Sequence, residues 1–165
     1  MKRVLLTGIS GTGKSTLTRV LAARGYKAID ADTEEWSHWV AVSGPGIAGT
    51  PVKPDQDWMW RADRIGGLLA TGDAEVLFLS GCAENMVQFL PQFDHIVLLS
   101  APADVIAARL ATRTTNDYGK QPDEVARVLD QIRTVEPLLR RAAGHEIDTS
   151  APLDQVVATV LQLVS

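Results

Sequence analysis

The 165-residue chain sets 16 Lys and Arg against 20 Asp and Glu, for a net charge of −4 and a pI near 5.3, so no general pull towards nucleic acid or anionic lipid is expected. Hydrophobic residues at 45% and charged residues at 22% describe an ordinary globular protein, and the length favours one domain, 1–165, with ample core. The single cysteine, Cys82, leaves no internal disulfide or cysteine-based metal cage and fits a reducing cytoplasm, while the N-terminal "MKRVLLTGIS" meets glycine and serine too soon for a signal peptide or membrane span.

Short apolar runs alternate with longer helix-like stretches, the pattern of a parallel sheet flanked by helices. Val4 to Thr7 reads as a buried first strand, followed by a glycine-rich turn and a helix from Lys14 to Arg24 that Gly25 stops. Lys27 to Ala31 reads as the second strand, and Thr33 opens a predicted helix carrying Trp36, Trp39 and Val40. Residues 43–57 hold three prolines and three glycines and are expected to form an irregular loop, functional or mobile. Trp58 to Thr71 reads as a helix ending at Gly72, and Glu75 to Ser80 and His95 to Ser100 as two more buried parallel strands. A helix from about Pro102 to Arg113 gives way to the polar loop "TTNDYGKQP". Pro122 and Asp123 start a long helix to about Ala143, which Pro137 kinks or splits. Glu146 to Thr149 makes a last strand and Leu153 to Val164 a closing helix, with no repeat or linker; five strands and one core suffice.

After the first strand comes Gly8-Ile9-Ser10-Gly11-Thr12-Gly13-Lys14-Ser15-Thr16, which fits the phosphate-binding pattern G-x-x-x-x-G-K-[ST]. Its glycines let the backbone curl so that N–H groups point at phosphate oxygens, and the following helix adds the positive end of its dipole. Lys14 has the reach for β- and γ-phosphates, and the Ser15 hydroxyl suits Mg²⁺. The alternative is a glycine-rich turn with an accidental lysine, but the placement between strand and helix is what the phosphate-binding mechanism demands.

"AIDADTEEW" sets Asp30 and Asp32 two residues apart where the second strand runs out. In strand geometry they point the same way and repel, so a positive partner is expected: Mg²⁺, Lys14 or an acceptor's proton. Ligands gather at such carboxyl ends in open α/β sheets. The competing reading makes Asp32 the cap of the next helix, where Thr33 would serve as well.

At this point the chain resembles the small P-loop kinases related to shikimate kinase, gluconate kinase and adenylate kinase. That resemblance implies a three-layer α/β/α fold with a five-stranded parallel sheet of order 2-3-1-4-5, an acceptor-binding segment over about 33–71 and a lid over about 113–122. It implies that Asp30 helps Ser15 hold Mg²⁺ and that Asp32 contacts the acceptor hydroxyl. "MWRADRI" resembles the segment where an arginine grips the acceptor, pointing to Arg61 and Arg64, and "RLATRTTNDYGK" the helix-to-lid junction, pointing to Arg109 and Arg113. "IDTSAP", with Ser150, resembles the turn whose backbone cradles adenine. Two departures stand out. Shikimate kinases carry three glycines after the third strand where this chain has Gly81-Cys82-Ala83-Glu84-Asn85, and adenylate kinases carry an aspartate where it has Ser80. Glu84 and Asn85 are therefore either acceptor contacts or a plain helix start.

Arg109 and Arg113, four apart, share a helix face and suit the charge spread over a transferring phosphoryl group, unless they merely form a solvated face. Trp36, Trp39, Trp58 and Trp60 are either core or a platform for a partly apolar acceptor. The expected function is an ATP- and Mg²⁺-dependent kinase in which Lys14, Asp32 and Arg113 do the catalytic work and the loop from Gly8 to Thr16, with Arg109 and Ser150, binds nucleotide. Its expected partners are ATP, ADP and a small-molecule acceptor, with no nucleic acid or membrane, as a monomer or homodimer. The alternatives are a nucleoside monophosphate kinase, or an ATPase switch module that binds a protein.

Overall fold

The computed structural model describes residues 1–44, 51–53 and 55–165. Five strands, β1 (Lys2–Thr7), β2 (Lys27–Asp30), β5 (Val76–Ser80), β6 (His95–Ser100) and β7 (His145–Asp148), form one parallel sheet in the order β2-β5-β1-β6-β7. Two others, β3 (Ser37–Ala41) and β4 (Gln56–Trp60), pair antiparallel as a separate hairpin. Counted without the hairpin the order is 2-3-1-4-5, as the resemblance implied. The helices are α1 (Lys14–Ala23), α2 (Ala62–Leu69), α3 (Ala103–Thr112), α4 (Pro122–Thr134), α5 (Glu136–Ala142) and α6 (Leu153–Gln162), with a 3₁₀ stretch over Glu84–Gln92.

Both faces of the sheet are covered, which is why its strands read as continuous apolar runs rather than alternating ones. Side chains still alternate along each strand. Val4, Leu6, Phe78, Val97 and Leu99 pack with Leu17 and Leu21 of α1 and Val157 and Val160 of α6. Leu5, Leu77, Leu79 and Leu98 face the other way, onto Ile65 of α2, Ile106 and Leu110 of α3 and Val128 of α4. Parallel pairing aligns the carboxyl ends: Leu6 and Asp30 both stand opposite Ser80, and Ser100 stands opposite Asp148. Among the described residues no helix is long and apolar enough to cross a membrane.

The largest difference from expectation lies after Asp32. Instead of a helix carrying Trp36 and Trp39, the chain makes one turn, in which the Thr33 carbonyl accepts from the N–H groups of Trp36 and Ser37, and then enters β3. The three-residue spacing of the two tryptophans imitates a helix, but aromatic and β-branched residues also favour strands, and pairing with β4 decides the matter. The predicted helix from Trp58 begins only at Ala62, because Trp58 and Trp60 sit on one face of β4, with Trp39 and Ser37 opposite them. The expected loop over 43–57 includes residues 45–50 and 54, outside the described residues, and its end, Gln56 and Asp57, belongs to β4. Pro137 splits the long helix as expected: α4 stops at Thr134, and the proline falls in the first turn of α5, where its missing N–H costs nothing.

Candidate active site

The loop between β1 and α1 is held tightly. A β carbon on Gly8 would stand 2.5 Å from the Leu99 carbonyl oxygen and 2.7 Å from Thr12 Oγ1, so no other residue fits without moving β6. Buried Thr12 donates its hydroxyl to the Ile9 carbonyl at 2.8 Å, so its side chain shapes the loop rather than facing the groove. Helix α1 begins at Gly13 with no side-chain cap, which leaves the amides of its first turn to a ligand. The Lys14 ammonium curls over the loop and donates to the carbonyls of Gly8 and Ile9, the latter at 2.8 Å. Burial pulls it below its ordinary pKa, while Cys82, Asp32 and Asp30 oppose the shift.

The two aspartates part company. Asp30 ends β2, and its Oδ2 accepts from the Ser15 hydroxyl at 2.8 Å while its Oδ1 accepts from the Asp32 N–H at 2.9 Å. Strand alternation does not extend to Asp32, whose Oδ1 instead accepts from the indole Nε1–H of Trp58 at 2.7 Å. No helix follows for Asp32 to cap. Asp30 thus belongs to the phosphate loop and Asp32 to the hairpin.

Two clefts meet between them. One, of about 450 Å³, runs along the phosphate loop past Ser15, Thr16, Arg109 and Ser150. The other, of about 380 Å³, is walled by Trp39 and Trp58 of the hairpin, by Cys82 and Glu84 after β5, and by Tyr118 and Arg127. Both are lined by Ser10, Lys14, Asp32 and Asn116. A family model described as an AAA domain matches residues 4–130. A shikimate kinase of Nitratidesulfovibrio vulgaris is 31% identical over 183 residues, covering 99% of this chain and 95% of the relative. The chain belongs to the small P-loop kinases related to shikimate kinase. Solved structures agree in fold: shikimate kinase from Acinetobacter baumannii in complex with shikimate superposes with a TM-score of 0.64 at 19% identity, covering 99% of this chain and 93% of that one. A gluconokinase from Sinorhizobium meliloti 1021 gives 0.61 at 21%, covering 99% and 91%.

Along the phosphate-loop cleft of this P-loop kinase family member, Arg109 donates to Thr149 Oγ1 at 2.9 Å and to the Thr149 carbonyl at 2.6 Å, bridging α3 to the turn after β7. Ser150 donates its hydroxyl to Asp148 in that turn and lines the groove. Arg113, at the end of α3, donates to Ser10 Oγ at 3.3 Å and to the Tyr118 carbonyl. Burial lowers its guanidinium pKa, and the Asp32 carboxylate opposes that. Lys120 spends its ammonium on the carbonyls of Leu110, Ala111 and Arg113, closing the end of α3 rather than reaching into the groove.

Four residues expected at the site sit elsewhere in their side chains. Arg61 donates Nε–H to the Glu34 carbonyl at 3.0 Å and Arg64 donates to the Glu35 carbonyl at 2.7 Å, so they hold the turn before the hairpin and line neither cleft. Asn85 clips the backbone of Trp60, accepting from its N–H at 3.0 Å and donating to its carbonyl at 2.8 Å. Thr12 is the fourth. Glu84, by contrast, lines the second cleft, as does Gly8.

Arg127, which no motif marks, lines the second cleft with Asn116 and Tyr118 from the segment expected as a lid, and donates to the Tyr118 hydroxyl at 3.0 Å. A signal was there: Arg127 and Gln131 on one face of α4 and Val135, the residue that caps it, recur at four-residue spacing, and all three line the cleft. Cys82 is open to solvent through the cleft yet ringed by protein, and that enclosure raises its thiol pKa against the pull of Lys14.

Proposed function

We propose that this chain is a Mg²⁺·ATP-dependent kinase acting on a small acceptor with a free hydroxyl, held in the cleft of Trp39, Trp58 and Arg127. The observation that carries this reading is that Lys14 and Asp32 line both clefts. A phosphoryl donor in one groove and an acceptor in the other would meet across that edge.

Lys14 would leave the loop carbonyls for the phosphates, and Arg113 and Arg109 would stabilise charge on the transferring group. Asp32 would orient the acceptor hydroxyl and take its proton. The Ser15 hydroxyl and Asp30 carboxylate, already 2.8 Å apart, are hard oxygen donors of the kind Mg²⁺ prefers. Among the described residues no three His, Cys, Asp or Glu side chains converge on a metal site, which suits an ion bound chiefly through phosphate and water. When bound there, Mg²⁺ would neutralise phosphate charge.

The acceptor cleft is lined by four carboxylates, Asp32, Glu34, Asp57 and Glu84, against Lys14 and Arg127. A neutral polyhydroxylated or amino-bearing acceptor suits that balance better than a multiply charged acid. Transfer to a small molecule is favoured over a hydrolytic switch because Ser80 ends β5 buried and bonded to the Thr18 hydroxyl at 2.9 Å, with no carboxylate to hold a nucleophilic water. The test is phosphorus NMR of Mg²⁺·ATP with the protein and a pool of sugars, sugar acids, nucleosides, nucleotides and aminoglycosides. A new phosphorylated species that disappears with Lys14→Ala is expected. Steady release of inorganic phosphate alone would replace this reading with the switch.

A further inference from the structure

The hairpin does more than wall the acceptor cleft. Trp58 Nε1–H donates to Asp32 Oδ1 at 2.7 Å, and among the described residues Asp32 Oδ2 has no hydrogen-bond partner. Both side chains line the acceptor cleft. The indole is itself held. Trp39 stands directly opposite in the β3–β4 register, the two rings meeting edge-on at 5.1 Å and 63°. Lys53 Nζ lies 4.1 Å over the Trp39 ring, and Asp57 Oδ1 accepts from the Trp58 N–H at 3.0 Å and the Val52 N–H at 3.1 Å. A rigid donor aimed at one oxygen of a carboxylate that lies beyond the end of its strand fixes the direction of the other.

We propose that Trp58 is a positioning residue for Asp32: its indole N–H holds Oδ1 so that Oδ2 faces the acceptor hydroxyl. This rests on the kinase reading above. In the step so arranged, the acceptor oxygen forms a bond to the γ-phosphorus, the bond from that phosphorus to the β–γ bridging oxygen breaks, the hydroxyl proton passes to Asp32 Oδ2, and ADP leaves. The inference also gives the hairpin a reason to be a hairpin. Cross-strand pairing places an indole N–H at a fixed height over the end of β2, so the segment that receives the acceptor also sets the group that activates it.

The test compares Trp58→Phe, Asp32→Asn and the double variant with wild type, using Mg²⁺·ATP and the acceptor pool named above. Phenylalanine keeps an aromatic ring in the cross-strand pair and removes the donor together with the indole's five-membered ring, so the double variant is what separates the lost donor from lost packing. Loss of a hydrogen bond to a charged group predicts a kcat about 10- to 100-fold lower, with the KM for ATP within about twofold. If Trp58 acts through Asp32, Trp58→Phe has no further effect on kcat in the Asp32→Asn background. An undiminished kcat in Trp58→Phe, or a further fall in the double variant as large as in wild type, overturns the proposal. Should Trp58→Phe fail to fold, the indole N–H proton spectrum of Asp32→Asn decides. The resonance with a nuclear Overhauser contact to Trp39 should move while the other three tryptophans hold, and an unmoved one overturns the proposal. A wild-type protein that phosphorylates nothing in the pool, while releasing phosphate, overturns the kinase reading and this inference together; wild-type transfer with an indifferent Trp58→Phe overturns this inference alone.

Discussion

A β carbon placed on Gly81 would stand 2.9 Å from Nε1 of Trp60, so the residue after β5 is glycine because a buried indole lies against it. Trp60 closes β4, packs beside Phe89 at 5.9 Å between ring centres, and is clipped at both backbone groups by Asn85. The "GCAEN" that departs from the shikimate kinase glycine run is therefore in part a seat for the hairpin: Gly81 makes room for the indole and Asn85 fastens its backbone. We expect Gly81→Ala to lower stability by about 1–3 kcal/mol through overpacking. Asn85→Ala should cost about 1–3 kcal/mol because two buried backbone groups lose their partner. Urea unfolding of the two variants checks both, and a cost below about 0.5 kcal/mol in each would mean that the hairpin is not anchored here.

Lys120 reaches back to the last turn of α3, whose carbonyls have no partner within the helix, and one of its three acceptors is the carbonyl of Arg113. A cation at a helix C-terminus also meets the negative end of its dipole. Lys120→Met should therefore cost about 1 kcal/mol of stability. Because Arg113 stands at that helix end, the same variant should lower kcat more than it raises the KM for ATP. Equal kinetics with lost stability would separate the capping role from any effect on Arg113.

The central sheet was legible because its strands are buried on both faces and announce themselves as apolar runs ended by glycine, serine or aspartate. The phosphate loop was legible because its backbone demands residues in a fixed local order. The hairpin was hidden because Trp36 and Trp39 have helical spacing, and only pairing with β4 across some fifteen intervening residues turns Trp39 towards Trp58. Arg61 and Arg64 were indicated by the likeness of "MWRADRI" to an acceptor-gripping segment, and that likeness says nothing of the Glu34 and Glu35 carbonyls that the turn before β3 presents to them. Arg127 lies outside every motif, and the packing of α4 against α3 brings it to the cleft.

Arg140 ties α5 to β7, bonding buried Glu136 at 3.0 Å and Glu146 at 2.7 Å, while Glu146 also accepts from Ser100. These bonds hold the Glu146 carboxyl below its ordinary pKa of 4.5, Arg140 contributing most. A carboxylate whose pKa is depressed by folding adds stability above its unfolded pKa and loses it as pH falls through the folded value. Arg140→Gln should cost about 1–3 kcal/mol at pH 7, because it strands Glu136 in the interior while the half-exposed Glu146 pair adds little. The gap between wild type and variant should hold steady above about pH 5 and narrow as pH falls below the ordinary carboxylate range and Glu146 takes up its proton. Urea unfolding at pH 7, 5, 4 and 3 measures it; a gap that stays constant to pH 3 would assign the whole effect to packing of the Arg140 side chain.

In the proposed site, Asp30 and Ser15, hydrogen-bonded to each other, would be the part offered to a cation, while Lys14 and the loop amides would grip the phosphates. Asp30→Asn keeps the acceptor oxygen for the Ser15 hydroxyl and removes the charge. The Mg²⁺ concentration for half-maximal turnover should rise about tenfold, the change expected for roughly 1.4 kcal/mol of lost ion affinity. Affinity for ADP in EDTA, where Lys14 and the loop amides act alone, should stay within about twofold. Both titrations run on the same preparation, one followed by turnover and the other by calorimetry. An unchanged Mg²⁺ requirement would remove Asp30 from the metal site and leave it as the residue that orients Ser15 and the Asp32 backbone at the end of β2.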